Sequence, residues 1–188
     1  MSAQASLRLV AHAATHAMRA GCFPDDDPLD ERGLAEATAL RDQWSIATEA
    51  TTVLCSPARC ARQSAVALGV QASIDAALRD ADYGCWRGKR LRDVTRDAPA
   101  DLDAWIHDPR SAPHGGESFE SVLRRVGAWM DALPAQGDVI AITHAVVVRA
   151  AILHALRAEQ DAVPRIDVVP LSCTTFALSS DGWKLAAG

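Results

Sequence analysis

The chain has 188 residues, 49% of them apolar and 23% charged, which suits one sizeable globular domain (residues 1–188) and excludes a disordered or fibrous chain. A formal net charge of −5 argues against nucleic acid or an anionic membrane as partner. No apolar run approaches a membrane span, and the first six residues lack the basic and long apolar segments of a secretory leader, so a cytoplasmic protein is expected.

Strand and helix signals alternate along the chain. Residues 6–11 form an apolar run that ends on His12 and predicts a strand. An irregular stretch, 13–28, follows, with the acidic run Asp25-Asp26-Asp27. Asp30 is placed to cap a helix reaching about Ile46. Thr51–Cys55 reads as a short strand, and Pro57 as the opening of a helix to about Leu68. Residues 72–78 predict another strand. Residues 80–115 are loop-rich, with short helices around Leu91 and Leu102. A long helix is expected over 118–133, its apolar stripe made by Val122, Val126 and Met130 with Leu123 and Leu133. Strand 138–143 ends on a second histidine, His144, and helix 145–157 follows. Residues 174–178 and 183–185 read as a closing hairpin turned at Ser180-Asp181-Gly182. The alternation predicts an α/β three-layer sandwich, a mostly parallel sheet with helices on both faces. In such folds, ligands bind beyond the carboxyl ends of the strands, where His12 and His144 fall.

Six segments, in order, resemble the motifs of the histidine phosphatase superfamily, whose members include phosphoglycerate mutases. They are Val10-Ala11-His12-Ala13-Ala14-Thr15, Pro28-Leu29-Asp30-Glu31-Arg32-Gly33, Cys55-Ser56-Pro57-Ala58-Arg59-Cys60-Ala61 continuing to Ala65, Asp80-Ala81-Asp82-Tyr83-Gly84 continuing to Gly88, Gly116-Glu117-Ser118 and Thr143-His144-Ala145 continuing to Arg149. The resemblance implies a phosphoglycerate mutase-like fold. It also implies His12 as the phosphoryl-accepting nucleophile, His144 as a clamp on the phosphoryl oxygens and Asp80 as general acid and then base. Substrate-binding positions fall on Thr15, Cys60, Glu117 and Ala145, the last through the backbone N–H groups of a helix start. The implied partner is a small anionic or phosphorylated ligand, with no cofactor.

Two positions depart from the family pattern. The Arg expected before the nucleophile is Ala11, and the Arg expected before Ala61 is Cys60. A one-residue slip to Arg59 does not restore the second, because Ala61, Ser64 and Ala65 hold the spacing and Arg59 points about 100° away around the helix. Arg8, the nearest basic residue to Ala11, lies three positions back on the strand and faces the other way. Arg is a permanently charged, bidentate partner for a phosphate dianion. At about 1.5–3 kcal/mol for each charged hydrogen bond, losing both removes roughly 3–6 kcal/mol, or about 10² to 10⁴ in affinity.

Three readings follow. The first is a phosphatase scaffold with weak or lost phosphoryl transfer; a mutase is less expected, because the chain is short and lacks a basic cap for a second phosphate. The second is a non-catalytic protein that binds a ligand or partner. The third is a repurposed metal site on His12, His144 and Cys60, a ligand set suited to transition metals, against which stands Cys60 as a small buried space-filler. The five cysteines are odd in number, scattered and without a C-x-x-C pair, and read as reduced, mostly buried thiols. His16 and His114 border the site, while His107 and His154 read as structural or exposed. Tyr83 and Trp86 read as core. The sequence does not fix the substrate or the oligomeric state.

Overall fold

In a computed structural model, which describes residues 5–44, 51–158 and 166–186, the elements run in the order β1 (Ser6–Ala11), α1 (His16–Arg19), α2 (Glu31–Ala39), β2 (Thr51–Cys55), α3 (Arg59–Ala67), β3 (Ser73–Ile74), α4 (Leu91–Asp97), α5 (Pro99–His107), α6 (Phe119–Asp131), β4 (Asp138–Thr143), α7 (Ala145–Leu156), β5 (Cys173–Ser179) and β6 (Gly182–Leu185). The strands make one sheet in the order β3-β2-β4-β1-β5-β6. Strands β3, β2, β4 and β1 pair in parallel, and β5 and β6 join antiparallel at the β1 edge. The sheet is therefore mixed, with its site-bearing half parallel.

The central strands are covered on both faces, which is why they read as nearly continuous apolar runs. Leu7, Leu9, Val139 and Ala141 face a core closed by Val122, Val126 and Met130 of α6 and by Val147, Val148, Ala150 and Ala151 of α7. Val10, Ile140 and Ile142 face the other way, onto Ala61 and Ala65 of α3. A satellite cluster of Phe23, Trp86, Val94 and Leu102 packs with Tyr83 and Trp105, so Trp86 is a core residue as expected, while Tyr83 is half-buried against the cluster.

Several boundaries differ from expectation. Asp30 does cap α2, its Oδ1 accepting the Gly33 N–H, but the helix stops at Ala39 and a 3₁₀ turn, Arg41–Trp44, follows; Ile46 lies outside the described residues. The predicted strand 72–78 shrinks to Ser73–Ile74, because Asp75 caps a 3₁₀ turn at Ala76–Leu78. Pro57 precedes α3 rather than opening it, and α7 ends at Leu156 as Arg157 turns left-handed (φ 49°). Thr15 adds an unexpected short helix, its Oγ1 accepting the Met18 N–H. The thiols are all free, but only Cys55 and Cys60 are buried; Cys22 is half-buried, and Cys85 and Cys173 are exposed.

Two glycines hold loops against the site. A Cβ on Gly33 would overlap the backbone oxygen of Ala14, two residues after His12, and one on Gly116 would overlap the Asp82 carbonyl.

Candidate active site

The site is assembled by three neighbouring parallel strands, each ending one residue before a polar side chain. Ala11 pairs with Thr143 and Cys55 with Ile142, so the next residues, His12, His144 and Ser56, arrive side by side. Backbone bonds continue the ladder past the strands: the His12 N–H donates to the Thr143 carbonyl (2.8 Å) and the Ser56 N–H to the Ile142 carbonyl (2.9 Å). All three side chains are buried.

The imidazoles of His12 and His144 meet edge to face, their centroids 5.0 Å apart. The His12 Nδ1–H donates to the Ala13 carbonyl (2.7 Å), which leaves Nε2 free toward the pocket. The His12–Ala13 turn is pinned to α3, because the Ala13 N–H donates to Ser64 Oγ (2.9 Å), which itself donates to the Cys60 carbonyl (2.8 Å). Ser56 Oγ lies 2.8 Å from His144 Nε2 and also accepts the Ala58 N–H. His144 Nδ1 approaches Asp80 Oδ2 at 3.3 Å, but the angle is too poor for a hydrogen bond. Asp80 is held from its other side, where Oδ1 accepts the Ala81 N–H.

Cys60, in the first turn of α3, presents its sulfur to both rings. Burial disfavours the thiolate, but the neighbouring His12 and His144 rings outweigh it and bring the thiol down to about 7. Burial likewise disfavours charge on His144, yet Asp80 and Cys60 together raise it to about 10. A protonated His144 then donates its Nε2–H to Ser56. Burial also works against the Asp80 carboxylate, and the facing His144 and His12 rings overcome it, holding Asp80 below the usual carboxylate range.

Around these groups lies a pocket of about 290 Å³, close to the lower size for small-ligand sites. Among the described residues, its walls carry Asp25, Asp26, Asp27, Asp80 and Asp82 against two arginines, Arg79 and Arg87, besides the two histidines. Arg79 is paired with Glu117 (3.2 Å) and Arg87 with Asp82 (2.8 Å).

Of the residues singled out from sequence, His12, Thr15, Cys60, Asp80 and His144 line the pocket. Glu117 and Ala145 do not: Glu117 is turned into a pair with Arg125 (2.9 Å), and Ala145 is the first residue of α7, behind His144. Arg149 is likewise drawn away, donating to the Ile166 carbonyl. His114 packs on Trp86 and His16 is exposed, so neither borders the pocket. His154 pairs with Asp131, and His107 is exposed beside Asp103. Sequence reading missed Ser56 and the pocket-facing role of Asp25–Asp27. Ser56 was signalled by its place one residue beyond β2, the same offset that brought out the two histidines.

The described helices include none long and apolar enough to cross a membrane. A model of the histidine phosphatase superfamily (branch 1) matches residues 7–187. The glucosyl-3-phosphoglycerate phosphatase of Mycolicibacterium vanbaalenii is 36% identical over 104 residues, 53% of this chain and 46% of that protein. The chain therefore spans about half the length of that curated relative. The adenosylcobalamin/alpha-ribazole phosphatase of Salmonella typhimurium is 32% identical over 139 residues, 70% of this chain and 68% of that protein. A solved mycobacterial glucosyl-3-phosphoglycerate phosphatase complexed with VO3 superposes with a TM-score of 0.83 at 23% identity, covering 99% of each chain, a likeness of fold.

Proposed function

The chain belongs to the histidine phosphatase superfamily, and from that membership we propose that it is a phosphomonoester hydrolase scaffold with weak phosphoryl transfer. The ligand class is a small phosphorylated molecule, as the names of the glucosyl-3-phosphoglycerate and alpha-ribazole phosphatases suggest. A cytoplasmic setting fits free thiols.

The observation that carries this reading is charge. His12 keeps a free Nε2 able to attack phosphorus, and Asp80 stands beside the second histidine. Among the described residues the lining arginines, Arg79 and Arg87, sit on the exposed rim, each already paired with a carboxylate that an incoming dianion would have to displace. The positive charge on His144 is already balanced by Asp80 and the Cys60 thiolate. The remaining aspartates repel what the pocket would have to bind. Fixed cations aimed at the developing charge supply much of the transition-state stabilisation in such reactions. Asp80 adds a second handicap: a carboxyl held below its ordinary range is a poor proton donor at neutral pH.

The test is hydrolysis of p-nitrophenyl phosphate by chelator-treated protein, beside a family member that has both arginines. The reading expects kcat/KM lower by about 10² to 10⁴, and the remaining rate abolished by His12→Ala. A rate equal to the control, or one unaffected by His12→Ala, overturns it.

A further inference from the structure

We infer that the pocket binds one borderline-soft divalent cation, Zn²⁺ above the hard ions, through His12 Nε2, His144 Nδ1 and Cys60 Sγ. This goes beyond the phosphatase reading and does not depend on it.

The geometry is that of a nearly formed three-ligand site. One donor atom from each residue lies within 4.8 Å of the others, and all three residues are buried. A tetrahedral Zn²⁺, with bonds of about 2.0–2.3 Å, sets such donors about 3.3–3.6 Å apart. The required contraction is on the order of an ångström, within reach of side-chain rotation.

The second argument is orientation. A metal-binding histidine normally commits its other ring nitrogen to a neighbour, which fixes the ring and its tautomer. Both rings are so committed here: His12 Nδ1 to the Ala13 carbonyl, and His144 Nε2 to Ser56 Oγ. The nitrogens left over are therefore the two named as ligands. His144 Nδ1 is fully buried and lacks an aligned hydrogen bond, an orphan that a metal bond would satisfy.

Charge and softness complete the case. The aspartates on the pocket wall attract a cation as they repel phosphate, and among the described residues both lining arginines are paired with carboxylates. A thiolate and two imidazoles select Zn²⁺ or Co²⁺ over Mg²⁺ and Ca²⁺, which prefer all-oxygen sites. Asp80, 3.3 Å from His144 Nδ1, is placed to be the fourth ligand or to hold a bound water.

The test uses protein made without a histidine tag, stripped with chelator and titrated with Zn²⁺ alone and with Co²⁺ alone. One Zn²⁺ per chain is expected, and Co²⁺ should give intense visible bands of tetrahedral coordination with a near-ultraviolet sulfur-to-metal band. Cys60→Ser should remove the sulfur band and weaken Zn²⁺ by more than about tenfold. Cys173→Ser, at an exposed thiol outside the pocket, should change neither. Circular dichroism checks that each variant is folded. No stoichiometric metal on folded wild type, or a sulfur band that survives Cys60→Ser, overturns the site. Hydrolysis of p-nitrophenyl phosphate is not among these readouts, so the two readings fail separately.

Discussion

Cys60 Sγ and a ring nitrogen of His144 lie buried within 4.8 Å of each other, with Cys60 standing where the family carries an arginine; the two histidines bring the thiol down to about 7, and Asp80 and Cys60 bring the His144 imidazole up to about 10. A position that holds a fixed positive charge in the family thus holds a thiol, which carries none or a negative one. Each partner stabilises the charge on the other, so neither is left to grip an incoming anion.

This pairing makes the reactivity of Cys60 measurable. In metal-free protein with Cys22, Cys85 and Cys173 changed to Ser, two buried thiols remain. Cys55 is pushed up to about 12 by burial and should stay unmodified by iodoacetamide at neutral pH. Alkylation of Cys60, read by peptide mass spectrometry, should rise with pH around a midpoint near 7. His144→Gln removes a neighbouring positive charge and should move that midpoint upward. Labelling of Cys60 that begins only at the ordinary thiol range, above about 8, would contradict the pairing.

Ser56 is a positioning residue for His144. Ser56→Ala leaves the His144 Nε2–H and the Ala58 N–H without their buried partner. The expected loss is about 1–3 kcal/mol of stability, read from the denaturant midpoint. Because the ring then swivels, Zn²⁺ affinity should also fall by roughly 10–100-fold. A variant with unchanged zinc affinity would show that Ser56 does not orient the ring.

Gly33 is required by close approach rather than by its backbone angle. Gly33→Ala pushes a methyl group into the Ala14 carbonyl, backbone that no rotamer change can move aside. The expected cost is at least about 1–3 kcal/mol, the range for forced overpacking. The neighbouring turn carries His12, so the loss of stability should be accompanied by weaker Zn²⁺ binding. Thermal unfolding and metal titration on one preparation check both, and a variant as stable as wild type would mean the loop shifts freely.

Much of this arrangement was legible in the sequence because it rests on local rules. Two apolar runs each ending in His placed the imidazoles at strand termini, and parallel pairing of β1 with β4 did the rest. The stripe of Val122, Val126 and Met130 was legible for the same reason, since its period matches a helix packed on a sheet. The strand expected over 72–78 failed on a competing local bond, the Asp75 cap of the following turn. What could not be read were relations set by distant packing. Glu117 looked like a site residue until its partner proved to be Arg125, and the three aspartates after Pro24 looked like an ordinary loop until the fold turned them toward the histidines. Ser56 was signalled by its offset past β2, but its role was not, because that depends on a ring 88 positions away.

The central claim, that loss of the two arginines defines what this pocket can do, is tested most directly by restoring them. The measurement is kcat/KM for p-nitrophenyl phosphate by chelator-treated Ala11→Arg/Cys60→Arg protein beside wild type, with His12→Ala in both backgrounds. Ala11 is packed in the core, so folding is checked alongside, and Cys60→Arg alone, at a position lining the pocket, serves if the pair does not fold. The account predicts a gain of up to about 10² to 10⁴ for the pair, a smaller one for the single change, and dependence on His12 throughout. A folded variant no faster than wild type would contradict it.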